Sequence, residues 1–240
     1  EHTMIFCIRS NFNDFFIYHL NFILFSLTFI ICFMIEHNIL GSILAGGQSK
    51  RMGEDKLFLE INKKKLIEYS IEKVKKHLKD LIIVTNSDND FFLKHNLTTV
   101  KDCIEGQLGP LVGILTAMKW AKDNSSKYSW IATFPCDTPF FPESIIKSFI
   151  SESKKKESLI LCASSHGRRH NIFGLWSLDL YDKLKNDLVN NKVRKVEDWT
   201  KKNKIKKLEF KFKDYDPFFN INTQEDLEFA KKLSLKIKNE

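Results

Sequence analysis

From Ile39 onward, short apolar runs alternate with amphipathic stretches, and no other feature of the 240-residue chain constrains its fold as much. Ile39 to Ala45 is rich in isoleucine and leucine and leads into Gly46-Gly47, which predicts a strand feeding a loop. Leu66, Ile67, Ser70, Ile71, Val74 and Leu78 recur at helical spacing with lysines between them. Leu81 to Thr85 predicts a second buried strand, and Thr98 to Lys101 a short third. Pro110 opens a helix carrying Leu111, Ile114, Leu115, Met118 and Ala121 on one face, with proline at the first-turn position it favours. Trp130 to Phe134 reads as another strand, closed by Pro135, and Pro142 starts a helix through Ile150.

Further strands are expected at Ser158 to Ala163, Ile172 to Trp176 and Lys207 to Phe212, with helices around 178–190 and 195–202. A terminal helix has its start signal in Thr223-x-x-Asp226, whose hydroxyl and carboxylate can cap the first turn. Strands separated by helical stretches imply βαβ units. The expectation is an α/β protein: one three-layer αβα domain over residues 39–240, with a mostly parallel, Rossmann-like sheet.

Residues 1–38 read as an apolar extension in front of that domain. The 21 residues from Phe15 to Ile35 carry no charged side chain, a length that matches one membrane span of ~20 residues. Against an anchor, His19, Asn21, Ser26 and Thr28 interrupt the run and no basic cluster flanks it. Met34 offers a natural start just before the first strand, so residues 1–33 are expected to be an upstream extension, and membrane association is not expected. The net charge of +8 comes from lysines scattered along helix faces, which suits a solvated surface better than a nucleic-acid site. Five unevenly spaced cysteines form no C-x-x-C pair and seven histidines form no zinc pattern, consistent with reduced thiols in the cytoplasm.

In an open α/β sheet, ligands gather beyond the carboxyl ends of the strands. Four such ends carry chemistry here: Ala45-Gly46-Gly47, Thr85-Asn86, Asp102, and Pro135-Cys136-Asp137-Thr138-Pro139. The loop LAGGQSKRMGEDK, from Leu44 to Lys56, is neither G-x-G-x-x-G nor a Walker A sequence. Its glycine amides can still form an anion-binding nest, and Arg51 and Lys56 can set positive charge on phosphate oxygens. A tight strand-to-helix turn with surface lysines would read the same way. Asp137, braced by two prolines, suits Mg²⁺, which takes one or two carboxylates plus substrate phosphates and water. Alone, it would read equally as an Asx turn or a cap. Asp102 fits a loop hydrogen bond as well as a ligand contact. Gly109 precedes a helix-opening proline, and Gly113 lies inside that helix at a cost of ~1 kcal/mol against alanine, which calls for close packing or ligand approach.

Four stretches together, LAGGQSKRMGEDK, LGPLVG from Leu108, PCDTP from Pro135 and FNINT from Phe219, resemble the molybdenum cofactor guanylyltransferase (MobA) family over roughly residues 39–230. The resemblance implies transfer of GMP from Mg-GTP to the phosphate of molybdopterin, with release of pyrophosphate. It implies that Leu44, Ala45, Gly46 and Gly47 line the guanine and ribose side, that Lys56 and Arg51 meet the triphosphate, and that Asn86 and Asp102 contact the nucleotide. Asn86 could be displaced by one against Thr85. By the same resemblance Asp137 holds Mg²⁺, and Asn220 and Asn222 form a polar pair near the reacting phosphates. His166 to Asn171, with His170 at its centre, and Arg194-Lys195-Val196 fall on the acceptor side. Proteins that deliver molybdopterin and chaperones of molybdoenzymes are the implied partners.

Two departures stand out: Asn171 occupies a position where the family usually has proline, and so does Gln224. The first puts the geometry of the acceptor-side loop in question. The alternatives are cytidylyl or other nucleotidyl transfer to a phosphorylated acceptor, a non-catalytic molybdopterin carrier, and a membrane-tethered adaptor.

Overall fold

The computed structural model describes residues 38–46, 56–106 and 109–237. Contacts divide the chain after Glu36, and everything below concerns the unit from His37 to Glu240. The expected extension over residues 1–38 lies almost wholly outside the described residues, as do Gly47 and Arg51. Among the described residues no helix is long and apolar enough to cross a membrane.

In chain order the strands are β1 (Ile39–Leu44), β2 (Glu60–Ile61), β3 (Lys64–Lys65), β4 (Leu81–Val84), β5 (Thr98–Val100), β6 (Trp130–Pro135), β7 (Ile160–Ser165), β8 (Arg168–Ser177) and β9 (Ile205–Glu209). The helices are α1 (Leu66–Lys75), α2 (Asp90–Lys94), α3 (Pro110–Asn124), α4 (Ser144–Ser153), α5 (Tyr181–Val189), α6 (Val196–Lys201) and α7 (Gln224–Ile237). Seven strands form one sheet in the order β5-β4-β1-β6-β8-β7-β9. β8 runs antiparallel to both its neighbours, and every other pairing is parallel.

The period-two alternation of each central strand sends side chains to opposite faces. Ile39 and Ile43 of β1, Ile83 of β4 and Phe134 of β6 join α1 and α4 in one core. Leu40, Leu44, Ile82, Val84 and Ile131 join α3, α5 and α6 in the other. These are the two apolar layers of a three-layer domain. A third cluster seats α7 against Ile61, Leu66, Phe140 and Ile221.

The expected caps are present. Asp226 N–H donates to Thr223 Oγ1 at 3.1 Å, and the Asp226 carboxylate accepts from Thr223 N–H at 2.9 Å. Gly109 sits at φ 80°, a left-handed conformation that glycine takes without strain, immediately before Pro110 at the first turn of α3. The unusual Gly113 is explained by packing: a Cβ there would stand 3.3 Å from Leu44 Cδ2, so its absence lets α3 lie close on β1.

Three features differ from the sequence reading. The hairpin β2–β3 turns through Asn62 and Lys63, both at positive φ, where the sequence lacks the usual Asn-Gly signal. Helix α2, capped by Asn89, is too short for periodicity to reveal. The last strand runs Ile205–Glu209 instead of Lys207 to Phe212, because its partner β7 pairs Ile160 with Ile205 and sets the start.

Candidate active site

From β1 the chain re-enters the sheet at β4 on one flank and from β6 at β7 on the other, so the strand order reverses between them and a crevice opens at their carboxyl ends. Lys56 and Asp137 meet there. Lys56 lies in a 3₁₀ turn, Lys56–Phe58, and its Nζ donates to Asp137 Oδ2 at 2.8 Å and to Asn222 Oδ1 at 2.7 Å. Asp137 lies two residues past the end of β6, and its carbonyl accepts from Ile221 N–H at 3.0 Å, which brings the Asn220–Asn222 segment alongside. Thr138, fully buried, donates its hydroxyl to Asn220 Oδ1 at 2.6 Å. Three segments distant in sequence therefore converge around the Lys56 ammonium.

Further along the same edge, Ala45 N–H donates to Val84 C=O at 2.8 Å and Thr85 N–H to Val100 C=O at 3.0 Å, so the β1, β4 and β5 ends lie side by side. Thr85 is buried and its hydroxyl turns back to Ala45 C=O. Asn86 is the exposed member of the pair. Its Nδ2 donates to Asp102 Oδ2 at 2.9 Å and its Oδ1 accepts from Asp102 N–H at 3.1 Å. Gly46 lies against that pair, since a Cβ on it would be 3.9 Å from Asp102 Oδ2. The Leu44 side chain packs under α3, leaving its backbone and that of Ala45 and Gly46 at the crevice.

Beside the crevice lies a cavity of about 450 Å³, walled by Pro135, Arg168 to Phe173, Arg194 to Glu197, Phe218 and Asn220, with Pro110 at its edge. Four basic side chains and one acidic one are among the residues that line it. The irregularity in β8 builds the wall: Cys162 pairs with Gly174 but Ala163 pairs with His170, so residues 171–173 fall out of register. A bulge of this kind re-aims side chains, and Asn171 lies within it. The Asn171 Oδ1 atom is buried without a partner.

His170 stacks on Phe218, with ring centroids 3.8 Å apart and planes 10° from parallel, and its Nε2 contacts Ser165 Oγ at 2.8 Å. Burial pushes the imidazole down to about 4, with the Arg168 charge adding to the shift and Asp216 and Glu209 opposing it, so the ring is neutral at pH 7. Arg169 is held by Glu197 at 3.2 Å and Thr200 at 3.1 Å, and Arg194 by the Leu188 and Val193 carbonyls.

A MobA-like NTP transferase domain matches residues 41–204. The chain belongs to the MobA-like NTP transferase family. It is accordingly a nucleotidyltransferase. A molybdenum cofactor guanylyltransferase of Mesorhizobium japonicum is 34% identical over 210 residues, covering 82% of this chain and 97% of the relative. The Rhizobium rhizogenes enzyme of the same name is 34% identical over 195 residues, covering 79% and 89%. Among solved structures, molybdopterin-guanine dinucleotide biosynthesis protein A from Archaeoglobus fulgidus superposes with a TM-score of 0.66 at 20% identity, covering 82% of this chain and 98% of that one, which supports the fold.

Within this family frame, the structure brings Lys56, Asp137 and Asn222 together, pairs Asn86 with Asp102, and places His170, Arg194 and Asn220 around one cavity. Asn222 sits with Lys56 and is not among the residues lining the cavity. Sequence reasoning did not find Phe218 behind His170, Thr138 as the link to Asn220, or Glu197 and Thr200 as supports of Arg169. Each is a pairing across at least 28 residues, for which no local pattern exists.

Proposed function

We infer that the protein transfers GMP from Mg-GTP to the terminal phosphate of molybdopterin, forming the guanine dinucleotide cofactor and releasing pyrophosphate. One observation carries this reading. The loop that holds Asp137 against Lys56 also contributes Pro135 to the cavity wall, and Asn220, hydrogen-bonded to that loop, faces the cavity as well. A nucleotide at the crevice and an anionic acceptor in the basic cavity would meet across this shared wall.

The donors at the crevice suit magnesium. Asp137 and the neighbouring asparagine amides offer hard oxygens, and among the described residues no group of three His, Cys, Asp or Glu forms an all-protein cage. One carboxylate completed by substrate phosphates and water is the usual Mg²⁺ arrangement. When bound, the ion supplies charge to offset that on the phosphates and helps orient the α-phosphorus. The protein's own residues do the rest. Lys56 trades its contacts with Asp137 and Asn222 for phosphate oxygens, and Arg51 adds a second fixed charge. Asn86 and Asp102 offer amide and carboxylate edges to the nucleoside, and the Leu44–Gly46 backbone passes close to it. Arg168, Arg169, Arg194 and Lys195 attract the acceptor. Its phosphate attacks as an anion, so no general base is needed, and positioning with charge stabilisation supplies the rate.

A pyrophosphate-release assay with molybdopterin as acceptor tests the reading, with GTP and CTP in competition. Release that depends on the acceptor and prefers GTP is expected. Equal use of CTP would reassign the base, and no release with either nucleotide would favour a carrier. Asp137→Asn should nearly abolish turnover while the melt stays cooperative.

A further inference from the structure

Helix α1 turns one polar stripe towards the segment that carries Asp137. Ser70 donates its hydroxyl to the Pro135 carbonyl at 3.1 Å. One turn on, Lys73 Nζ donates to the carbonyls of Pro139 and Phe141, both at 2.7 Å. A turn further, His77 Nε2 and Lys76 Nζ meet the two carboxylate oxygens of Glu143 at 2.9 and 2.8 Å. Ser70 and Lys73 follow helical spacing and so share a face, and Lys76 and His77 lie in the turn just past the end of α1. Their contacts bracket Asp137, with residue 135 before it and residues 139, 141 and 143 after it.

Lys73 is the centre of this clamp and an unusual choice for it. Its ammonium is half-buried against the Phe141 ring, 4.8 Å from the centroid. Burial pulls its pKa down to about 8, with Glu143 opposing the shift and Lys64 and Lys76 adding to it. Near neutral pH the fold therefore bears the cost of keeping a poorly hydrated charge. An apolar side chain would remove that cost but leave two carbonyls without their donor. A charge tolerated at such a place and spent on backbone carbonyls sets the path of a loop. This loop is the one that presents Asp137 to Lys56.

We propose that Lys73 is a positioning residue for the transfer reaction: its ammonium ties the turn at residues 139–141 to α1 and so aims the Asp137 carboxylate into the crevice. The proposal rests on the reading of Asp137 as the carboxylate that binds the divalent cation. Lys73 touches neither substrate nor metal and acts through the loop alone.

The test uses the full chain and the variants Lys73→Met, Lys73→Arg and Asp137→Asn. Mn²⁺ affinity in the presence of GTP is read by electron paramagnetic resonance, independently of turnover, beside kcat, the KM for the acceptor and a thermal melt. Lys73→Met should weaken Mn²⁺ binding by ~10-fold or more, the usual effect of losing a group that orients a metal ligand. It should lower kcat while leaving the acceptor KM unchanged, and Lys73→Arg should restore much of both. Should Lys73→Met not melt cooperatively, Lys73→Gln, which keeps a donor without the charge, is measured and should weaken Mn²⁺ binding less. Parental Mn²⁺ affinity in the Lys73 variants, with binding lost in Asp137→Asn, would overturn the proposal alone. Parental affinity in Asp137→Asn would overturn it together with the metal-site reading on which it rests.

Discussion

Replacing Lys56 by methionine keeps the aliphatic stem and deletes the charge that joins three segments. In the structure its Nζ lies 2.8 Å from Asp137 and 2.7 Å from Asn222, on a side chain only 12% exposed. Two separate losses follow, and their sizes differ. For folding, the Asp137 side chain keeps 22% of its exposure, so water can reach the orphaned carboxylate. The cost should stay near ~1 kcal/mol, as for other partly screened ion pairs, which lowers the melting temperature by about 2–4 °C in a domain of this size. For catalysis, the ammonium's charge-assisted contact with phosphate is worth ~1.5–3 kcal/mol, or about 10- to 150-fold in kcat/KM for GTP. The assay is pyrophosphate release with GTP varied at saturating acceptor, run beside a thermal melt. A large kinetic loss with a small thermal one is the expected pattern. A GTP titration that superposes on the parent while the melt falls would refute the reasoning and leave Lys56 as a structural partner of Asp137.

The other expectations concern the acceptor side and the frame. The half-buried His170 imidazole titrates at about 4 in the fold against an ordinary 6.5, so the unfolded chain takes up a proton first as pH falls. Its contribution to stability is present in full above pH 6.5 and is lost between there and about 4. His170→Gln should therefore flatten the pH dependence of the denaturant midpoint across that window, and an unchanged slope would remove His170 from the account. Gly113→Val forces methyl groups towards Leu44, where even a Cβ stands at 3.3 Å. It should destabilise by about 1–3 kcal/mol, as overpacking does, and an unshifted melt would show that α3 can move off β1. Thr223→Ala removes the hydroxyl that caps α7. A loss of ~1 kcal/mol is expected by denaturant titration, and no loss would mean that the Asp226 carboxylate suffices as a cap.

Much of the frame is legible before any coordinates. Ile39, Leu40, Ile43 and Leu44 alternate between two apolar layers, as a strand buried on both faces must, and Pro110, Thr223 and Asp226 mark helix starts through chemistry confined to one turn. Such signals are local, because the period of a side-chain pattern and the partners of a cap lie within a few residues. The strand-end loops were legible for the same reason, since the direction of a parallel sheet puts all its carboxyl ends on one edge.

Other features depend on pairings that no window along the chain contains. Lys56 meets Asp137 across 81 residues and Asn222 across 166, and neither distance leaves a periodic trace. The antiparallel sense of β8 is one such feature, because a strand's own pattern is the same in either direction. The slip between Cys162 and Ala163 that swings His170 to Phe173 into the cavity wall is another, set by which neighbours compete for the same backbone groups. The depressed pKa of Lys73 belongs here too: beside other lysines in α1 it reads as one more solvated charge, until packing against Phe141 takes its water away. Desolvation and convergence are properties of the assembled layers, and they arise only when distant segments exclude solvent together.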